Sequence, residues 1–180
     1  MDDDKEKIVE KYGNWAQFMT ESEAKSMLSD YGKVMEIMKG VLEEAFGEGH
    51  NYSIDDGQAN DGGGLNISGD LDGVASYMAT LRSGDTDIMV SFYYELPKLL
   101  DCDASEIEDE IRRLEDDDIF DHDMDLHTLE MEVDDDDEDY ASIQCHWTFH
   151  CEPMFGGVPT MDELIEFDNR VKEIINSHKK

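Results

Sequence analysis

From Ala24 to Ala45, apolar residues recur at every third or fourth position through Met27, Leu28, Tyr31, Val34, Met35, Met38, Val41 and Leu42. That spacing predicts a long amphipathic helix. Thr20 and Glu23 have capping-box spacing at its start, and Gly47 stands where it must end, so its limits fall near 21–46. Upstream, residues 1–19 mix charges with Ile8, Val9, Tyr12, Trp15 and Phe18, the pattern of a docking segment with a short helix broken at Gly13. Residues 20–180 read as a single α+β domain.

Beyond Gly47 the period changes to two. Tyr52 and Ile54, then Leu65 and Ile67, predict short strands around a loop from Asp55 to Gly64. Asp72-Gly73 is a favoured hairpin dipeptide, and Ala75, Tyr77, Ala79 and Leu81 alternate after it up to a turn at Ser83-Gly84-Asp85. A helix over 71–81 competes, because Leu71, Val74, Met78 and Leu81 also fit its period, but the alternation favours a strand. Ile88, Val90, Phe92 and Tyr94 form one face of a further strand that Pro97 closes. Ser105 and Glu108 suggest a second capping box, and Ile107, Ile111 and Leu114 a helix near 106–116. Glu108 with Arg112 and Asp109 with Arg113 are spaced as helix neighbours, which gives both arginines a structural role.

The densest feature follows. Leu129, Met131 and Val133 alternate with polar residues, as do Ile143, Cys145, Trp147 and Phe149, so strands are expected near 124–134 and 140–151. Between them stand Asp134, Asp135, Asp136, Asp137, Glu138 and Asp139, a turn of six carboxylates. Pairing Val133 with Ala141 requires a bulge at His127-Thr128 to keep the earlier residues in phase, which brings His127 near His146. A third capping box, Thr160 with Glu163, opens a last helix near 161–177 that turns Leu164, Ile165, Asp168, Val171, Ile174 and Ile175 inward. Runs of strands separated by single helices argue an α+β fold: an antiparallel sheet, made of a meander and a long hairpin, with the helices packed on one face.

Charge changes this picture in one respect. The 180 residues hold 47 acids and 14 bases, a formal charge of −33. From Asp101 to Tyr140 there are 21 acids and two bases, so more than half of the net charge lies in under a quarter of the chain. A general adaptation of surface solubility would spread acids evenly. Such a chain repels nucleic acid and anionic membranes. Three cysteines and a charged beginning without an apolar signal segment lead to the expectation of reduced thiols in a cytoplasm.

Few residues suggest chemistry. Asp121, Asp123, Asp125 and Glu132 have EF-hand spacing, but Leu126 occupies the position where the loop needs glycine, and a strand follows where a helix is required. Cys145-His146 and His150-Cys151 resemble ligand pairs. On a strand, however, the cysteines face inward and the two histidines outward, about 13 Å apart at ~3.3 Å per residue, beyond one zinc. Gly62-Gly63-Gly64 lacks the lysine of a phosphate loop. No nucleophile set stands out; no enzymatic activity, cofactor or metal site is expected.

What remains is recognition by charge. The expected partner is a basic protein surface, that of a nucleic-acid-binding protein, met by Asp116, Asp117, Asp118, Asp121, Asp123, Asp125 and the six carboxylates Asp134–Asp139, in the manner of DNA-mimic inhibitors. No membrane and no direct nucleic-acid contact is expected, and the chain is taken as a monomer or dimer. The element order is also similar, in topology and composition, to that of small acidic secretion chaperones. That similarity implies the alternative of an adaptor gripping a peptide through apolar surface.

Overall fold

A computed structural model describes residues 3–12, 16, 19–47, 52–55, 65–81, 86–117, 119–120, 127–137, 140–151 and 157–180. Helix α1 (Asp3–Tyr12) leads to the long helix α2 (Glu21–Phe46). Strands β1 (Tyr52–Asp55), β2 (Leu65–Leu71), β3 (Ala75–Leu81) and β4 (Thr86–Glu95) follow, then α3 (Ala104–Arg112) with a 3-10 turn at Arg113–Asp116. The chain continues through β5 (His127–Asp137) and β6 (Tyr140–Cys151) to α4 (Met161–Ser177). The six strands form one antiparallel sheet in the order β1-β2-β3-β4-β6-β5. Four strands therefore run as a meander, and the hairpin docks through its second strand, leaving β5 at the edge. Aromatic content decides which hairpin strand is central: Ile143, Cys145, Trp147 and Phe149 of β6 are fully buried, whereas on β5 only Leu129 reaches that depth among the described side chains.

Two capping boxes form as their spacing predicts. Thr20 N–H donates to Glu23 Oε2 at 2.7 Å, and Thr160 N–H to Glu163 Oε2 at 2.6 Å. Each satisfies helix N–H groups that otherwise lack partners. Gly47 ends α2 at φ 95°, a conformation that a side chain would strain. The box expected at Ser105 is absent; the chain turns helical two residues earlier, with extended Asp103 as N-cap and no side-chain bond there. Residues 75–81 are strand, and Asp72 (φ 54°) with Gly73 (φ 74°) makes the left-handed pair of a tight hairpin, closed by Val74 N–H to Leu71 O at 3.0 Å.

One hydrophobic core lies between the sheet and α2, α3 and α4. From α2 it takes Met38, Leu42 and Phe46; from α3 Ile107 and Ile111; from α4 Leu164, Phe167, Val171 and Ile175. On α4 the inward stripe departs from the expected one where Phe167 is fully buried and Ile165 is 38% exposed, and Ile174 is only partly buried against the core. Leu164, Asp168, Val171 and Ile175 face inward as expected. Asp168 is held by Lys172 Nζ at 2.6 Å and stands beside the Tyr94 hydroxyl, whose ionisation is suppressed first by burial and then by that carboxylate. A smaller cluster of Ala16, Met19 and Ala24 takes Ile8 of α1.

The hairpin departs from expectation at its acidic end. Asp134 to Asp137 lie in strand β5 instead of a turn, so the strand runs three residues past its expected end, while residues 124–126 of the expected strand lie outside the described residues. The ladder continues from Asp134↔Ser142 to Asp137↔Tyr140 across an irregularity between those pairs. Completing backbone hydrogen bonds with β6 thus outweighs the mutual repulsion of the carboxylates. Val133 pairs with Ile143 and not with Ala141, the ladder at His127-Thr128 is regular, and it is Glu130 that stands opposite His146. A slip of two residues keeps every side chain on its own face, so alternation cannot detect it.

Ile119 and Phe120 interrupt the acidic stretch and are buried to 6% and 3% exposure. Phe120 meets Trp147 at 4.9 Å and Phe149 at 5.0 Å between ring centroids, both edge-on. Phe167 completes the group, edge-on to Trp147 at 5.5 Å and 6.3 Å from Phe120. Replacing Phe120 with alanine is expected to cost about 3–5 kcal/mol in urea unfolding, whereas Ile165→Ala should change stability by no more than about 0.5 kcal/mol. A loss below ~1 kcal/mol for Phe120→Ala would contradict this packing.

Candidate functional site

The two faces of the sheet differ in chemistry. On β4, Ile88, Val90, Phe92 and Tyr94 point into the core, and Asp87, Met89, Ser91, Tyr93 and Glu95 point away from it. The register then sets rows on the outer face: Glu95, Ser142 and Asp134; Tyr93, Gln144 and Glu132; Ser91, His146 and Glu130. Glu130, Glu132 and Asp134 are exposed, so the edge strand carries a column of carboxylates separated by ~6.7 Å along the strand. No lysine or arginine occurs anywhere in β4, β5 or β6. The imidazoles of these strands are His127, His146 and His150, and two are engaged: His146 Nδ1 shares a hydrogen bond with Ser91 Oγ at 2.8 Å, and His150 Nδ1 with Asp87 Oδ1 at 2.7 Å.

Among the residues expected to meet a partner, Asp116 and Asp134 are exposed. Asp117 is taken up by Arg170 of α4 at 2.5 Å, an ion pair that fastens the 3-10 turn to the last helix. Asp135, Asp136 and Asp137 are placed on β5 by the backbone. Asp118, Asp121, Asp123, Asp125, Glu138 and Asp139 lie outside the described residues, as do the first three positions of the EF-hand-like spacing. The fourth, Glu132, is exposed in a strand. Glu115, which the sequence did not single out, accepts the Leu129 N–H at 3.2 Å. It caps a donor on the edge strand and so blunts that edge against pairing with another chain.

The thiols differ in setting. Cys145 is fully buried, and burial pushes its thiol up to about 12. Cys102 is half-buried in the segment before α3 and is raised by desolvation and then by Asp101, Glu106, Glu110 and Asp103. Beside it, His178 at the end of α4 bonds through Nδ1 to Asp101 Oδ1 at 2.8 Å and through Nε2 to Glu110 Oε1 at 3.2 Å. The Asp101 bond raises the imidazole above its ordinary value, partial burial opposes this, and Glu110 adds to the rise. A shallow cleft of about 430 Å³ nearby is lined by residues 95–99, 179 and 180, and brings no serine, cysteine or histidine to its walls.

Among the described residues, no helix is long and apolar enough to cross a membrane. Comparison of the chain with protein-family models, with curated proteins and with solved structures gives no significant match.

The burial of Cys145 has a direct chemical consequence. In native protein at about pH 8 its thiol should resist alkylation over a period that labels it fully in urea, because the reactive species is the thiolate. Mass mapping of the modified peptide checks this, and native labelling as fast as unfolded labelling would contradict the placement of β6.

Proposed function

We propose that this chain is a binding protein that uses the acidic edge of its sheet to occupy the basic site of a nucleic-acid-binding protein. The observation that carries this reading is the extended form of Asp134–Asp137 at the edge of the sheet, continuing the exposed column Glu130, Glu132 and Asp134. An antiparallel strand advances ~3.4 Å per residue, and one strand of duplex DNA advances ~3.4 Å per phosphate. A basic groove facing one side of the strand meets every second carboxylate, ~6.7 Å apart, or one charge for about every two phosphates of a DNA strand. The absence of lysine and arginine from β4, β5 and β6 leaves the ladder uninterrupted by cations of its own sheet. Charge of this kind acts mainly on encounter rate and on the choice of partner.

The distribution of exposed apolar residues argues against a peptide-binding adaptor. Ile37, Tyr93, Leu99 and Ile165 are the large exposed hydrophobics among the described residues, and they sit on α2, β4, the segment after β4 and α4. Scattered residues of this sort are ordinary on a soluble surface.

The test is capture of basic proteins by the full chain at low salt, with release attempted by duplex DNA. The mimic reading expects duplex DNA to compete for the captured partner. It also expects the variant with Asp134–Asp137 and Asp139 changed to asparagine and Glu138 to glutamine to bind at least ~10-fold more weakly, with a flatter salt dependence. A partner that withstands duplex DNA, and binds the neutralised variant with unchanged affinity and salt slope, would remove the reading.

A further inference from the structure

We propose that Asp101, Cys102 and His178 form a binding site for a divalent cation of the zinc class. The site lies where the end of α4 is stitched to the segment between β4 and α3. One ligand atom from each of the three residues can be chosen so that all lie within 4.8 Å of one another. Tetrahedral zinc with bonds of about 2.0–2.3 Å sets its ligand atoms roughly 3.3–3.8 Å apart, so closure onto an ion asks them to draw in by no more than about 1.5 Å. Thiolate, imidazole and carboxylate together make a donor set of intermediate softness, which suits zinc and its transition-metal neighbours better than calcium or magnesium.

Two independent features organise these ligands. The first is the backbone. His178 O accepts from Asp101 N–H at 2.9 Å, Leu99 O from Lys180 N–H at 3.0 Å, and Leu100 bridges antiparallel to Lys179. Residues 77 positions apart in the chain are therefore held side by side before any ion arrives. The second is Glu110 on α3, whose Oε1 lies 3.2 Å from His178 Nε2. A histidine that gives one nitrogen to a metal commonly donates the other N–H to a carboxylate, which fixes the ring and its tautomer. With the ion on the Nδ1 side, among Asp101 and Cys102, Glu110 occupies that supporting position. Three protein ligands leave a fourth coordination position for water or for a side chain of a partner. An ion here would clip the end of α4 to the strand–helix segment. The site is separate from the edge strand β5 and does not depend on the reading of that strand.

Cobalt(II) tests this with the reduced full-length chain, because thiolate-bound cobalt has a strong near-ultraviolet charge-transfer band that cobalt on carboxylates lacks. One equivalent should produce the band, and one equivalent of zinc should bleach it. Cys145→Ser and Cys151→Ser should keep the band, Cys102→Ser should lose it, and Glu110→Gln should weaken the apparent affinity by about 10–100-fold. In the unaltered chain, zinc should also shield Cys102 from alkylation, a readout that needs no variant. The proposal is overturned if no charge-transfer band forms, if the band survives in Cys102→Ser, or if zinc leaves Cys102 alkylation unchanged. It is equally overturned if cobalt gives only a weak carboxylate-type spectrum growing over many equivalents, the signature of cations spread over the acidic surface.

Discussion

The contact of Phe120 with Trp147 and Phe149 is what ties the most charged part of this molecule to its core. Asp116 and Asp117 precede it, and the run from Asp121 follows; without an apolar anchor such a stretch has no reason to fold. Ile119 and Phe120 supply the anchor, meeting β6 edge-on from the helix side of the sheet. Phe167 and Phe92 extend the same aromatic group toward α4 and β4, 4.9 Å apart. Phe120 packs on the inner face of β6, and the first strand of the hairpin pairs with its free edge.

This arrangement sorts apolar and charged groups by face, and the magnitudes make the sorting stable. Two carboxylates ~6.7 Å apart in water repel by roughly 0.6 kcal/mol, less in salt. Full burial of one large apolar side chain contributes about 1.5–3 kcal/mol. Ile143, Trp147, Phe149 and Leu129 on the inner face of the hairpin therefore outweigh a ladder of acids on its outer face and rim. Strand alternation makes this division possible, since neighbouring residues of β5 look in opposite directions. Glu115 and Asp117 are the exceptions that hold structure together, one capping an edge N–H and the other pairing with Arg170.

Much of this was legible along the chain. Capping pairs at Thr20 and Thr160, the Asp72-Gly73 turn and the inward faces of β4 and β6 are local signals, each tied to a residue type with one good use at that place. The register of the hairpin was not legible, because shifts by two residues preserve both faces. Nor was the extent of β5, since aspartate has low strand propensity and only pairing with β6 extends the strand to Asp137. Ile119 and Phe120 show no period of their own, although two adjacent apolar residues inside an acidic run were a signal. The meeting of Asp101 and Cys102 with His178 joins sites 77 and 76 positions apart and left no trace in local spacing.

The core carries the acidic edge at a net electrostatic cost to the fold. Thermal unfolding across a sodium chloride series, for the unaltered chain and for one with Glu130, Glu132 and Asp134–Asp137 neutralised, measures this cost. The unaltered chain should melt higher as salt rises, the neutralised chain should be the more stable of the two at low salt, and the difference should close at high salt. A melting temperature that falls with salt, or a neutralised chain less stable at low salt, would show instead that these carboxylates stabilise the fold.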